Sequence, residues 1–88
     1  MESCRVVLQP SVRKDLRNLP KRIAAQVVAR IEGLAKDPSP RQSLKLSGAE
    51  RLYRIRVGDY RIIYEYDPTA LLVTIYYVRH RREVYRAL

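Results

Sequence analysis

The sequence predicts an α+β domain: an N-terminal strand, then an αα-hairpin packed on one face of a mainly antiparallel four-stranded twisted sheet, then a short C-terminal helix. Three observations predict it. Apolar residues recur at helical spacing between Val12 and Leu34, residues 52–66 alternate with period two around a tight turn, and a second turn leads into a nearly apolar run ending at residue 79.

The elements follow in chain order. Arg5 to Leu8 reads as a short strand ended by Pro10, with Ser11 placed to cap the helix that follows. Val12, Leu16 and Leu19 share one face of that helix. Pro20 permits a new helix start, and Ile23, Val27, Ile31 and Leu34 form the apolar stripe of a second helix that ends near Asp37-Pro38. The basic residues of this hairpin, Arg13, Lys14, Arg17, Lys21, Arg22 and Arg30, are read as a solvated outer face. Pro38 to Arg51 is a polar connection, with Leu44 and Leu46 either tucked beneath it or forming a short edge strand.

Leu52 to Tyr66, LYRIRVGDYRIIYEY, is a β-hairpin. Gly58-Asp59 suits a two-residue loop, with Gly where a type II′ turn needs positive φ. The register follows by arithmetic: Val57 faces Tyr60, Ile55 faces Ile62 and Tyr53 faces Tyr64 on a core side that also takes Tyr66. On the other side Arg56 faces Arg61 and Arg54 faces Ile63. Like charges set directly opposite destabilise a strand pair, so a polyanionic ligand that gathers these arginines is the economical explanation. Asp67-Pro68-Thr69-Ala70 makes the second turn. If Tyr66 pairs with Leu71, then Val73, Ile75 and Tyr77 join the core face, and Thr74 and Tyr76 join the arginines on a face left open. HRREVYRAL, residues 80–88, reads as a final helical turn or two.

Eighty-eight residues make one small domain, here taken as 1–88. Without Trp or Phe, its seven tyrosines are the only aromatics, so some belong to the core. A formal charge of +9 predicts attraction to nucleic acid, an acidic protein or an anionic membrane. All four lysines precede residue 46, whereas the eight Lys and Arg side chains from Arg51 onward are all arginine, the bidentate phosphate reader. Cys4 is a lone cysteine, read as a small filler compatible with a reducing cytosol. The opening residues lack the pattern of a signal peptide, and the apolar run from 70 to 78 is too short for a membrane helix, so a soluble cytoplasmic protein is expected.

An arginine cluster with few acids does not hold a metal. With no paired carboxylates, His-x-x-x-His or Walker-type loop in the chain, glycosidase, metallohydrolase and nucleotide-kinase chemistry is set aside. Metal-free phosphodiester chemistry remains. RNA supplies its own nucleophile, the 2′-hydroxyl, and fixed guanidiniums can stabilise charge building on the phosphorane. Arg54, Arg56 and Arg61 suit that task, Tyr76 can stack a base, and no cofactor is needed. An acid and a base are still required: His80 is a candidate because an unperturbed imidazole titrates near neutrality, and Tyr85 becomes available if arginines lower its pKa.

The combination of LYRIRVGDYRIIYEY, a strand running into YYVRHRREVYRAL and a preceding helical hairpin resembles the RelE toxin family of bacterial and archaeal toxin-antitoxin systems, over nearly the whole chain. The resemblance implies a ribosome-dependent, metal-independent endoribonuclease that cuts mRNA in the A site by 2′-hydroxyl attack, with a cognate acidic antitoxin that silences it. It implies that Arg54 and Arg56 contact the scissile phosphate, where the archetype has lysines, and that Arg61 stabilises transition-state charge. Arg81 resembles the general acid, with Arg79 and Arg82 as rivals because the spacing to EVY is two residues shorter. Tyr85 matches a tyrosine implicated in stacking or proton transfer, and His80 a histidine of several branches. Rival readings are a ParE-like toxin that blocks DNA gyrase and a non-catalytic RNA- or ribosome-binding module. Arg54 is also open to bridging Glu65 or Glu50, and Tyr85 to pinning the last helix.

Overall fold

A computed structural model of the protein describes residues 3–41, 43–46 and 51–80. Strand β1 (Arg5–Leu8) leads into helices α1 (Pro10–Arg17) and α2 (Lys21–Gly33), followed by β2 (Ser43–Lys45), β3 (Leu52–Val57), β4 (Tyr60–Asp67) and β5 (Leu72–His80). The sheet order is β1-β5-β4-β3-β2, with β1 parallel to β5 and the other pairs antiparallel. The described residues thus form five strands rather than the four expected. The extra one, three residues long, takes the edge-strand option for Leu44 and pairs Leu44 with Arg54. The expected C-terminal helix lies outside the described residues.

Both helices cover one face. Val12 of α1, Val27 and Ile31 of α2 and Leu34 at its end meet Ile55, Val57, Ile62, Tyr64, Val73, Ile75 and Val78 in one buried cluster that includes Cys4. Ser11 does not cap α1. The N-cap is Gln9, and Pro10 opens the helix, where its missing N–H costs nothing. The Ser11 hydroxyl instead donates to the carbonyl of Tyr76 at 3.4 Å. Among the described residues, no helix is long and apolar enough to cross a membrane.

The β3–β4 hairpin has the register its alternation predicts, from Leu52 opposite Glu65 to Val57 opposite Tyr60. Gly58 supplies the turn's positive φ, at 59°. Tyr64, fully buried, stacks on Tyr53 with ring centroids 5.5 Å apart, and its hydroxyl donates to the Pro38 carbonyl at 2.8 Å, tying the polar connection to the core.

The β4–β5 ladder departs from expectation. Asp67 accepts from the backbone N–H groups of Thr69 and Ala70 at 3.0 and 3.2 Å, closing the turn, and pairs with Leu72, so Tyr66 faces Val73 rather than Leu71. Val73 and Ile75 reach the core as predicted, but a bulge follows: Tyr64 faces Ile75 while its neighbour Ile63 faces Tyr77, leaving Tyr76 as the additional residue. Parity therefore reverses. Val78 turns inward beside Ile62, and Tyr77 joins Ile63 on the far face instead of entering the core.

Candidate nucleic-acid interface

The face turned away from the helices is built from alternate residues of β3, β4 and β5. Arg56 lies opposite Arg61, and Arg61 lies opposite Arg79, so three arginines form a row across three adjacent strands. With strands about 4.8 Å apart, the row is about 10 Å wide at the backbone. Arg54, opposite Ile63, stands two residues along β3 on the same face. The bulge completes this row, since an uninterrupted β5 would send Arg79 to the helix side and His80 to the arginine side.

The face is less open than expected. Arg61, on the central strand, is only 3% exposed, and neighbouring Ile63 is equally inaccessible although it lies outside the helix-side cluster. Arg56 is exposed, and Arg54 and Arg79 are half-buried. Among the described residues neither Arg54 nor Arg56 has an ion-pair partner, so Arg54 does not bridge Glu65. Arg79 is held from two sides: its guanidinium lies 5.1 Å from the centre of the Tyr77 ring, and its Nε is 3.8 Å from Asp15 Oδ1. A guanidinium over an aromatic face keeps its charge while losing rotational freedom.

Asp15 was not predicted to matter here. Where β1 ends, β5 would present a bare edge. α1 covers it with two residues one turn apart: Ser11 reaches the Tyr76 carbonyl, and Asp15 Oδ2 accepts the Val78 N–H at 3.0 Å. The same carboxylate thus fixes the strand and approaches the arginine beside it. An i, i+4 pair of polar residues on the inner side of α1 is the sequence signal, but its partners lie more than sixty residues away.

Tyr76 reaches the arginine face as expected. Its hydroxyl donates to Glu65 Oε1 at 2.7 Å, and this hydrogen bond, with burial and the Glu65 charge behind it, raises the phenol's pKa above its usual value. His80 does not join the arginine row on the far face, although it lines one cavity with Arg79. It pairs with Tyr60 on the helix side, the two rings edge to face with centroids 5.4 Å apart. There it lines a cavity of about 200 Å³ with Asp15, Asn18, Leu19 and Tyr60. Arg81, Arg82 and Tyr85 lie outside the described residues.

The fold is that of a small toxin module, as comparison with known proteins shows. The family profile of the ParE toxin of the type II toxin-antitoxin system parDE matches residues 6–85, and the chain belongs to the RelE/ParE superfamily of toxins from such systems. Within that superfamily its similarity extends to RelE. Toxin RelE of Mycobacterium tuberculosis is 32% identical over 82 residues, 92% of this chain and 84% of the relative. Two solved toxin-antitoxin complexes share the fold. RelBE2 of M. tuberculosis is similar at 32% identity and a TM-score of 0.76, over 90% of this chain and 99% of that one. The RelE-RelB complex of Pyrococcus horikoshii matches at 31% identity and a TM-score of 0.77, over 90% and 96%.

Proposed function

We propose that this toxin is a ribosome-dependent, metal-independent endoribonuclease that cuts mRNA in the A site and so inhibits translation in the cytoplasm. The observation that carries this reading is the arginine row Arg56–Arg61–Arg79. Three guanidiniums in one row concentrate positive charge, and a phosphodiester in line for attack by its own 2′-hydroxyl is an anion whose charge grows during reaction.

In this reading Arg56 and Arg54 contact the scissile phosphate from the accessible side, and Arg61 contributes fixed positive charge from beneath. Arg79, stacked on Tyr77, stands on the same row and joins them. The 2′-oxygen attacks phosphorus, the P–O5′ bond breaks, and a 2′,3′-cyclic phosphate and a 5′-hydroxyl result. Arg81 protonates or neutralises the leaving oxygen, with Arg82 as its rival, and Tyr85 stacks a base or relays a proton. His80, directed to the helix side, is given no part in the chemistry. The +9 charge and the antitoxin-bound states of the solved relatives support an acidic antitoxin as the partner that silences this face.

The match to the ParE profile favours one competing reading, a toxin that blocks DNA gyrase by protein contact without cutting RNA. In vitro translation of a defined mRNA, with cuts mapped by primer extension and a ribosome-free control, separates the two. The nuclease reading expects ribosome-dependent cuts that fall about 100-fold or more in Arg56→Ala, an exposed position whose loss spares the fold. Intact mRNA together with inhibited gyrase supercoiling overturns it.

A further inference from the structure

We infer that Glu65, held by Tyr76, is the base-reading group of this face and selects guanine in the bound RNA; the inference rests on the nuclease reading above.

Glu65 lies on β4 four residues beyond Arg61, on the same face, flanked by Leu52 of β3 and Thr74 of β5. A carboxylate is out of place on a surface that gathers phosphates. Asp67, two residues further on, forms an ion pair with Arg51 at 3.2 Å, but among the described residues no cation lies within ion-pair distance of Glu65. Its donor is the neutral Tyr76 hydroxyl, at 2.7 Å to Oε1. Its orientation is therefore fixed by an uncharged donor. Tyr76 can serve because it follows Thr74, the partner of Glu65, by two residues on the same face.

A fixed carboxylate repels phosphate and accepts N–H groups. On a single-stranded RNA those donors are on the bases. Guanine alone presents two adjacent donors on its Watson–Crick edge, N1–H and the 2-amino group, matching the two oxygens of a carboxylate. Adenine and cytosine each set an acceptor nitrogen beside their amino group, and uracil flanks its single N–H with two carbonyls. Each would bring a lone pair against a carboxylate oxygen. The Tyr76 hydrogen bond occupies one lone pair of Oε1 and leaves the remaining ones for the base.

The spacing fits one nucleotide. Four residues of extended strand separate Glu65 from the arginine row by about 13 Å at the backbone. Arg and Glu side chains are long enough to shorten that gap to the span between a phosphate and the edge of its own base. Ile63, itself buried, stands between them on β4.

The test uses the full toxin in the translation assay, on a reporter whose A-site codons vary one base at a time. Wild type is expected to favour guanine at one codon position by at least about fivefold. Replacing that guanine with inosine, which lacks the 2-amino group, should reduce cutting several-fold with no change to the protein. Glu65→Gln, which swaps one acceptor for a donor, should erase the preference while Arg56-dependent cutting persists at other codons, and Tyr76→Phe should weaken it. Wild type that cuts no RNA overturns the nuclease reading and this inference together. Wild type that cuts with no guanine preference, equal cutting of inosine and guanine codons, or an unchanged codon distribution in Glu65→Gln overturns the inference alone.

Discussion

The helix-covered face of the sheet and the arginine face come from alternate residues of the same three strands, yet they are held by different forces. On the covered side, Ile55, Ile62, Tyr64, Ile75 and Val78 are excluded from water and contribute through burial. On the other, Arg56, Arg61 and Arg79 stand in a row across three strands, with Arg79 held by Tyr77 and Asp15. One face stabilises the fold and the other uses that stability. Substitutions on the first should therefore change folding, and those on the second should change function with folding preserved.

The sharpest expectation concerns Tyr64, fully buried at the centre of the covered face. Tyr64→Ala should cost about 3–5 kcal/mol in urea denaturation, as aromatic truncations in cores do. A loss below 1 kcal/mol would show that the faces are not divided in this way. Next comes the edge anchor. Asp15→Ala removes the acceptor of the Val78 N–H and should cost about 1–3 kcal/mol, whereas Asp15→Asn, which keeps an acceptor, should recover most of it. If both variants lose the same stability, the charge near Arg79 rather than the backbone contact is what Asp15 supplies.

A smaller effect should appear in alkali. Burial pushes the Tyr64 phenol from 10.0 up to about 12, so below pH 10 both folded and unfolded chains keep the proton. Between those values the unfolded chain ionises first, and stability falls as pH rises. Tyr64→Phe should flatten that part of the pH–stability profile. The smallest expected change is in the stability of Arg56→Ala, within about 0.5 kcal/mol of wild type because the side chain is exposed and makes no ion pair among the described residues. A marked gain in stability would mean that relief of repulsion against Arg61 dominates.

Much of this was legible in the chain itself. The β3–β4 register could be counted residue by residue because a two-residue turn and strict alternation leave one solution. That placed Arg54, Arg56 and Arg61 correctly. Residues 70–78 are nearly all apolar, so alternation could not reveal where parity breaks, and a four-residue turn set no register to compensate. The unbulged count consequently puts Tyr77 in the core. β2 is too short to show a period. Asp15 escaped notice because its partner is a backbone N–H 63 residues away.

The parallel pairing of β1 with β5 also governs the order of events during synthesis. β1 leaves the ribosome first, but its pairing partners Leu72 to Ile75 are made more than sixty residues later. Closing so long a loop is slow relative to local pairing, and the β3–β4 hairpin can form before it. Until β5 emerges, β1 has no strand to join and the arginine row lacks Arg79. The nascent chain thus carries a finished hairpin while its arginine row is still incomplete, and the row closes only once Arg79 has been made and β5 has paired with β4.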